Sequence, residues 1–207
     1  MKKAVLLSMI LLATGFSKDL FKLGLEAYDQ GEFDKAAIQW QKDCDGGAIE
    51  SCTNLGTLFE SGLGVEQDYN KAIDLYKKTC DNKDTLGCHN LGVMYAKGEG
   101  LKQDYNKAAD LYKQACDDGN NDSCSNLGVL YENGQGVEKN YSKSIELYKK
   151  ACNGGLAIGC YNLGFLYVKG QGVRQDYRIA KEYFGESCDL GHQNGCDAYK
   201  KLNEKGF

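Results

Sequence analysis

Ten cysteines recur in this chain at intervals that do not vary, and this regularity restricts its possible folds more than any other feature. They form five pairs, each with seven residues between its members, and each pair follows the previous one by 36 residues. The dipeptide Leu-Gly keeps the same step, preceded each time by an asparagine: Asn54, Asn90, Asn126 and Asn162. A fixed period of this size is typical of stacked helical hairpins and not of a domain with one globular core.

Each period contains two predicted helices, A and B. A first apolar set has the spacing of one helix face and predicts helix A: Cys52, Leu55, Leu58 and Phe59. A second set predicts helix B in the same way: Ala72, Leu75, Tyr76 and Cys80. Glycine, as at Gly62, is expected to end helix A, and Asp68 is expected to cap the start of helix B. The repeating unit is therefore predicted to be an α/α hairpin.

This pattern resembles the Sel1-like repeat, a relative of the tetratricopeptide repeat. The resemblance is carried by Leu-Gly-Val-Met-Tyr at residues 91–95, Gly-Gln-Gly-Val at 134–137 and Asp-Tyr-Asn-Lys-Ala at 68–72. The added cysteine pairs narrow it to the Helicobacter-type cysteine-rich (Hcp) proteins. The resemblance implies an all-α fold, an α/α right-handed solenoid of Sel1-like repeats with a disulfide in each repeat.

The period also predicts the boundaries of the repeats. Residues 18–47 are expected to form a shortened first repeat, and residues 192–207 a C-terminal capping helix. Terminal units of a repeat array are usually atypical, because they must cover the apolar face that the next repeat would otherwise bury. Four full repeats are expected between them, at residues 48–83, 84–119, 120–155 and 156–191.

Residues 1–17 have the pattern of a secretory signal peptide. Lys2 and Lys3 precede an apolar run that ends at Ala13, and small residues follow it. The run is too short for a membrane span, which needs about 20 apolar residues. We therefore expect cleavage near Phe16 or Lys18 and a secreted or periplasmic chain without membrane insertion after the signal is removed.

An even number of cysteines in an exported chain predicts disulfide bonds. Pairing across a repeat, as in Cys52 with Cys80, leaves Cys44 and Cys196 without partners, whereas pairing within each C-x7-C leaves none. Local pairing is also favoured because one cysteine ends a helix and the other begins the next helix after a tight turn. The predicted bonds are Cys44–Cys52, Cys80–Cys88, Cys116–Cys124, Cys152–Cys160 and Cys188–Cys196.

Metals, cofactors and nucleic acid are not expected as ligands. Structural zinc sites favour closer cysteine spacings, and His89 and His192 stand at different repeat positions. The net charge of the chain is −4 and becomes more negative once Lys2 and Lys3 are removed. An acidic protein is not attracted to nucleic acid or to an anionic membrane surface.

A row of side chains on one flank of helix A predicts a peptide-binding groove on the concave face of the array. An asparagine amide can both donate and accept hydrogen bonds, so it can pair with a peptide bond. The alternative is that the asparagines hold neighbouring repeats together and the valines pack against the next A helix. Both interpretations are open for the candidate residues Asn54, Asn90, Asn126, Asn162, Val93, Val129 and Phe165.

The resemblance also implies a second, enzymatic function. Hcp proteins are described as penicillin-binding proteins or β-lactamases of low activity, which would make β-lactams or peptidoglycan fragments the ligands. The chain has no serine or threonine with lysine three places on and no G-x-S-x-G motif, so the catalytic residues are unknown. The sequence favours an exported scaffold that binds a protein or peptide partner in the host or the cell envelope.

Overall fold

The computed structural model describes residues 19–207, and all regular secondary structure in that range is α-helical. The all-α fold that the sequence predicts is therefore confirmed. The predicted signal peptide at residues 1–17 lies outside the described residues. The helices are α1 (residues 19–29), α2 (Phe33–Asp45), α3 (Ile49–Ser61), α4 (Tyr69–Asp81), α5 (Thr85–Lys97), α6 (Tyr105–Asp117), α7 (Asn121–Asn133), α8 (Tyr141–Asn153), α9 (Ala157–Lys169), α10 (Tyr177–Asp189) and α11 (Gln193–Glu204).

The chain forms two compact units. Among the described residues, unit 1 comprises those up to Met94 together with Glu99–Lys102. Unit 2 comprises Tyr95–Gly98 and Gln103–Phe207, so α5 contributes to both units. Within unit 1, α3 packs against α2 and α4, and within unit 2 each helix from α6 to α11 packs against the next one. Among residues 19–207, no helix has both the length and the apolar character that a membrane span requires.

Glycine and aspartate set the limits of the helices as the sequence predicts. Gly134 ends α7 with a left-handed backbone (φ 72°), and its N–H donates to the Leu130 carbonyl. Asp104 begins α6, where its carboxylate accepts hydrogen bonds from the backbone N–H groups of Asn106 and Lys107. Such caps satisfy backbone groups that a helix end leaves without partners.

The loop between helices A and B folds back onto the preceding hairpin. Its second glycine also has a positive φ, as at Gly64 (φ 68°), and a Cβ at that position would collide with the backbone of Phe33 and Asp34. The next residue, Val65, packs against a core cluster that includes Trp40 and Leu58. This apolar residue therefore anchors the loop.

Each disulfide joins the end of a B helix to the start of the following A helix. The structure contains the five local pairs, with Cα–Cα distances of 4.5 to 4.7 Å. Cys52, Cys124 and Cys160 are fully buried. The bonds therefore cross the closest contact between consecutive helices and lie inside the packed core.

A helices approach B helices through glycines that face aromatic rings. A Cβ at Gly56 would lie 2.6 Å from the Tyr76 ring, and one at Gly128 would lie 2.7 Å from the Tyr148 ring. Both tyrosines are fully buried. The Leu-Gly dipeptide of each repeat therefore leaves room for the aromatic side chain of helix B.

Substitution of Gly128 tests this close packing. We expect Gly128→Ala to destabilise the protein by about 1–3 kcal/mol, because the added methyl group forces the Tyr148 ring or α7 to move. A matched control is Gly185→Ala in α10, where the new Cβ would lie 3.4 Å from the Tyr199 ring. That variant should gain about 0.5–1 kcal/mol, because alanine favours the helix. Urea denaturation of the oxidised proteins measures both changes, and equal effects would contradict the close packing.

Candidate functional site

Each A helix carries one face outside the core, and the candidate binding residues lie on it. In α9 this face includes Ile158 and Phe165, whose exposed fractions are 36% and 38%. Tyr161 and Asn162 are half-buried on the same face, at the spacing of adjacent helical turns. The sequence therefore placed Phe165 and Asn162 on an accessible surface.

The four asparagines are half-buried, and two of them have identified partners inside the protein. Asn90 forms a hydrogen bond with Tyr76, and Asn126 forms one with Tyr112. Each bond joins a B helix to the A helix that follows it. The structural interpretation accounts for these two asparagines, since a buried hydroxyl needs a partner.

Glutamates accept hydrogen bonds from buried tyrosine hydroxyls in alternate repeats, a feature that sequence reasoning missed. Tyr76 donates to Glu60 Oε2 at 2.7 Å, and Tyr148 donates to Glu132 Oε2 at 2.8 Å. Burial, followed by the contact with glutamate, raises the pKa of Tyr76. The available signal was that Glu60 and Glu132 share one repeat position.

The apolar members of the candidate row differ in their surroundings. Val93 is half-buried. Val129 packs against the cluster of Tyr148, Leu163 and Leu166, as the structural interpretation expects. Phe165 is the most exposed of the three, so it has the most surface left for a ligand.

Unit 2 contains a cleft of about 440 Å³ between α9, α10 and α11. Its aromatic wall consists of Tyr161, Phe165 and Phe184, with ring centres 6.2 Å apart for Tyr161 and Phe165 and 5.5 Å apart for Tyr161 and Phe184. Asn162 is not among the lining residues. The remaining lining residues are Val168, Tyr177, Asn194, Asp197, Ala198, Lys201, Leu202 and Lys205.

The cleft lies where α11 covers α9 and α10 only in part. Leu202 of α11 is buried against Ala180 and Phe184. By the 36-residue step, Ala198 stands where the other repeats carry asparagine, and Lys201 stands where α9 carries Phe165. The α11 wall of the cleft therefore has an alanine at the position of the larger Asn162 and a lysine at the position of Phe165.

A second and more aliphatic cleft, of about 380 Å³, lies in unit 1 between α2, α3 and the loop after α3. Its lining includes Ala37, Leu55, Phe59 and Val65, with Ile38 exposed at 52%. The asparagine of this unit's first full repeat, Asn54, does not line it.

A serine and a histidine meet in unit 2, but the pair is poorly suited to nucleophilic catalysis. Ser187 Oγ lies 3.3 Å from His192 Nδ1, and it donates to the Ala157 carbonyl at 2.8 Å. Ser187 has no exposed surface. A substrate carbonyl could not reach this hydroxyl without opening the core, so the contact serves packing between α9, α10 and α11.

One group in the described part of the chain brings three potential metal ligands together: Cys152, Cys160 and Glu186. The two sulfur atoms form a disulfide bond, so they offer no thiolate to a metal. Glu186 Oε2 lies 3.2 Å from Cys152 Sγ.

These features define a disulfide-stapled α/α repeat protein with a ligand-sized cleft at one end. The Sel1 repeat model matches residues 49–84, 85–120, 121–156 and 157–192, each one residue later than the predicted boundary. The chain belongs to the Sel1 repeat family. Helicobacter pylori cysteine rich protein B is 30% identical, with a TM-score of 0.52 over 63% of this chain and 94% of that protein, so the family type is Hcp.

Two other relatives are longer than this chain. A protective antigen of uropathogenic Escherichia coli, c5321, is 29% identical with a TM-score of 0.82, and the match covers 93% of this chain but 42% of that protein. The Helicobacter pylori protein named "Putative beta-lactamase HcpE" is 41% identical over 46 residues, which are 22% of this chain and 13% of HcpE. The chain thus matches less than half of either relative.

A double-mutant cycle tests the pairing of Asn126 with Tyr112. Asn126→Ala should lower the free energy of unfolding by about 1 kcal/mol, because one hydrogen bond to a buried hydroxyl is lost. Combined with Tyr112→Phe, it should show a coupling energy of about 0.5–1 kcal/mol. Asn133→Ala, an exposed asparagine in the same helix, should show no coupling to Tyr112→Phe. Purely additive effects of Asn126→Ala and Tyr112→Phe would exclude the interaction.

The raised pKa of Tyr112 predicts how the stability of the protein changes at alkaline pH. Burial raises the pKa of Tyr112 to about 12, and the unfolded value is about 10. The unfolded chain therefore loses this proton first, so the contribution of Tyr112 to stability is complete below about pH 10 and falls by about 1.4 kcal/mol per pH unit towards pH 12. Tyr112→Phe should reduce the slope of stability against pH between about pH 10 and pH 12 by this amount. Urea titrations at each pH measure the slope, and an unchanged slope in Tyr112→Phe would refute the assignment.

Proposed function

We propose that this Sel1 repeat protein is a binding scaffold that holds a peptide segment of a protein partner in the cleft of unit 2. The observation that carries the proposal is the exposed Phe165 ring beside Tyr161, at the mouth of a cleft of about 440 Å³. Clefts that bind ligands have volumes of about 300–1,000 Å³ and are mostly apolar with few polar groups. The repeat family and its disulfides support a protein-binding function in general terms.

The binding energy that aromatic side chains contribute favours this cleft as the place where a partner is anchored. Aromatic side chains at the centre of an interface often contribute most of the binding energy, because they bury a large area at a low cost in conformational entropy. Tyr161 is already held between Phe165, Phe184 and His192, whose ring centre lies 5.0 Å from its own. Such a preorganised wall loses little freedom when a partner binds.

Of the four asparagines that the sequence predicts in a peptide-binding groove, this proposal uses only Asn162. Asn162 lies one turn before Phe165 on the same helix face, so we expect its amide to pair with the backbone of a peptide that leaves the cleft along α9. Asn90 and Asn126 already bond to tyrosines. Peptide contacts by Asn54, Asn90, Asn126, Val93 and Val129 remain predictions.

We propose that the protein acts in an oxidising compartment. Five disulfides in a chain of this size are typical of exported proteins. Together with the signal pattern of residues 1–17, they support a secreted or periplasmic scaffold that meets its partner in the envelope or outside the cell.

Selection of peptides from a displayed random library on the oxidised protein tests the proposal. Phe165→Ala should weaken the selected peptides by at least about tenfold, since the loss of a central aromatic contact costs roughly 1–2 kcal/mol or more. Leu190→Ala, at an apolar residue that is 46% exposed outside the cleft, is the matched control and should bind normally. Circular dichroism verifies that both variants fold. Equal affinity of wild type and Phe165→Ala for every selected peptide would refute the proposal.

A further inference from the structure

The cleft of unit 2 has a charge that differs in sign from that of the whole protein. Its ionisable lining residues, other than tyrosine, are Asp197, Lys201 and Lys205. Lys169 does not line the cleft, but its Nζ lies 4.5 Å from the centre of the Phe165 ring. Two ammonium groups of the lining, with a third beside Phe165, thus outnumber one carboxylate in a chain whose net charge is −4. The average composition of the chain does not account for this local excess of positive charge.

The two lysines of the lining are not used by ion pairs within residues 19–207. The neighbouring Lys200 pairs with Glu204 at 4.0 Å and does not line the cleft. Asp197 accepts a hydrogen bond from Gln193 Nε2 at 2.9 Å. The ammonium groups of Lys201 and Lys205 are therefore available to a ligand.

Position in the repeat shows why one wall is aromatic and the other basic. Lys201 occupies the position of Val93, Val129 and Phe165, and Asp197 occupies the position of Tyr161. Helix α11 thus carries charged groups at the two places where α9, the helix that it faces, carries the aromatic residues Tyr161 and Phe165. A ligand in this cleft meets rings on the α9 side and charged groups on the α11 side.

We propose that the cleft is specific for an acidic peptide segment with one bulky apolar side chain. The apolar side chain packs against Tyr161 and Phe165, and carboxylates next to it in the sequence pair with Lys201 and Lys205. In an extended peptide successive side chains point to opposite sides, so an apolar residue flanked by acidic ones can serve both walls at once. This inference rests on the proposed peptide-binding function of the same cleft.

Two defined peptides separate charge recognition from apolar binding. The first is an acetylated and amidated fluorescent pentapeptide with a central tryptophan and two glutamates on each side, and the second carries glutamines in place of the glutamates. We expect the acidic probe to bind the oxidised protein at least about threefold more tightly at low salt, an advantage that should shrink at 0.5 M salt, because screening weakens pairing at an open cleft. Equal binding of the two probes, or preference for the glutamine probe, would overturn the inference.

Neighbouring lysines of α11 provide a matched pair of variants. Lys201→Gln should lower the affinity for the acidic probe by about threefold to tenfold and leave the glutamine probe unchanged, as expected for a partly desolvated charge pair. Lys200→Gln changes the same charge outside the cleft and should have no such effect, and Lys201→Arg should retain binding. Equal losses in Lys200→Gln and Lys201→Gln would show a general charge effect and overturn the assignment to the cleft.

The two proposals fail in different ways. If library peptides without acidic residues bind, and Phe165→Ala abolishes their binding while Lys201→Gln does not, the cleft binds peptides but the acidic specificity is wrong. If Phe165→Ala leaves both library peptides and the acidic probe unaffected, the cleft is not the binding site and both proposals fall. Loss of the acidic probe in Phe165→Ala and in Lys201→Gln, but not in Lys200→Gln, supports both.

Discussion

The covalent bond between each B helix and the next A helix is the constraint on which the rest of the structure depends. A repeat protein has no central core, so its stability is the sum of local terms and contacts between neighbours. A disulfide that closes a loop of this length contributes about 2–3 kcal/mol in the chain-entropy model. The following B helix reinforces two of these links: Lys78 Nζ lies 3.4 Å from the Cys44 carbonyl oxygen, and Lys150 Nζ lies 2.6 Å from the Cys116 carbonyl oxygen. Each of these cross-links therefore acts on three helices.

Between the disulfides, the hairpins are held by an aromatic ring that fits over a glycine and by polar partners for its hydroxyl. Gly56 admits the Tyr76 ring, whose hydroxyl reaches Glu60 and Asn90. Where the last B helix carries Phe184, there is no hydroxyl to satisfy, and Val168 replaces the glutamate at the corresponding position of α9. At Tyr112, Ala96 stands at the glutamate position, and the partner of the hydroxyl is Asn126. Each of these buried hydroxyls therefore has a polar partner, because a buried hydroxyl without one is costly.

The parts of the fold that follow from local chemistry could be predicted from the sequence, and those that need a second helix in place could not. The caps at Asp104 and Gly134 and the pairing of cysteines depend on a few neighbouring residues, so the 36-residue period was sufficient to identify them. The bond between Tyr148 and Glu132 joins residues 16 apart whose orientation depends on how two helices pack. The cleft was missed for the same reason: Phe165 could be singled out on its helix, but Lys201 acquires meaning only when α11 lies opposite α9.

The capping helix explains how a repetitive scaffold can carry a distinct site without disturbing its repeats. A cap must present polar groups outward, which frees its positions from the pattern that the internal helices obey. Leu202 keeps the apolar contact with Phe184 and is buried, while Ala198 and Lys201 replace Asn162 and Phe165 of the last full repeat. The small side chain opens space beside the Phe165 ring, and the lysine gives that space a charge. The same substitutions thus create, between α11 and the last full repeat, a cleft whose two walls differ in chemistry.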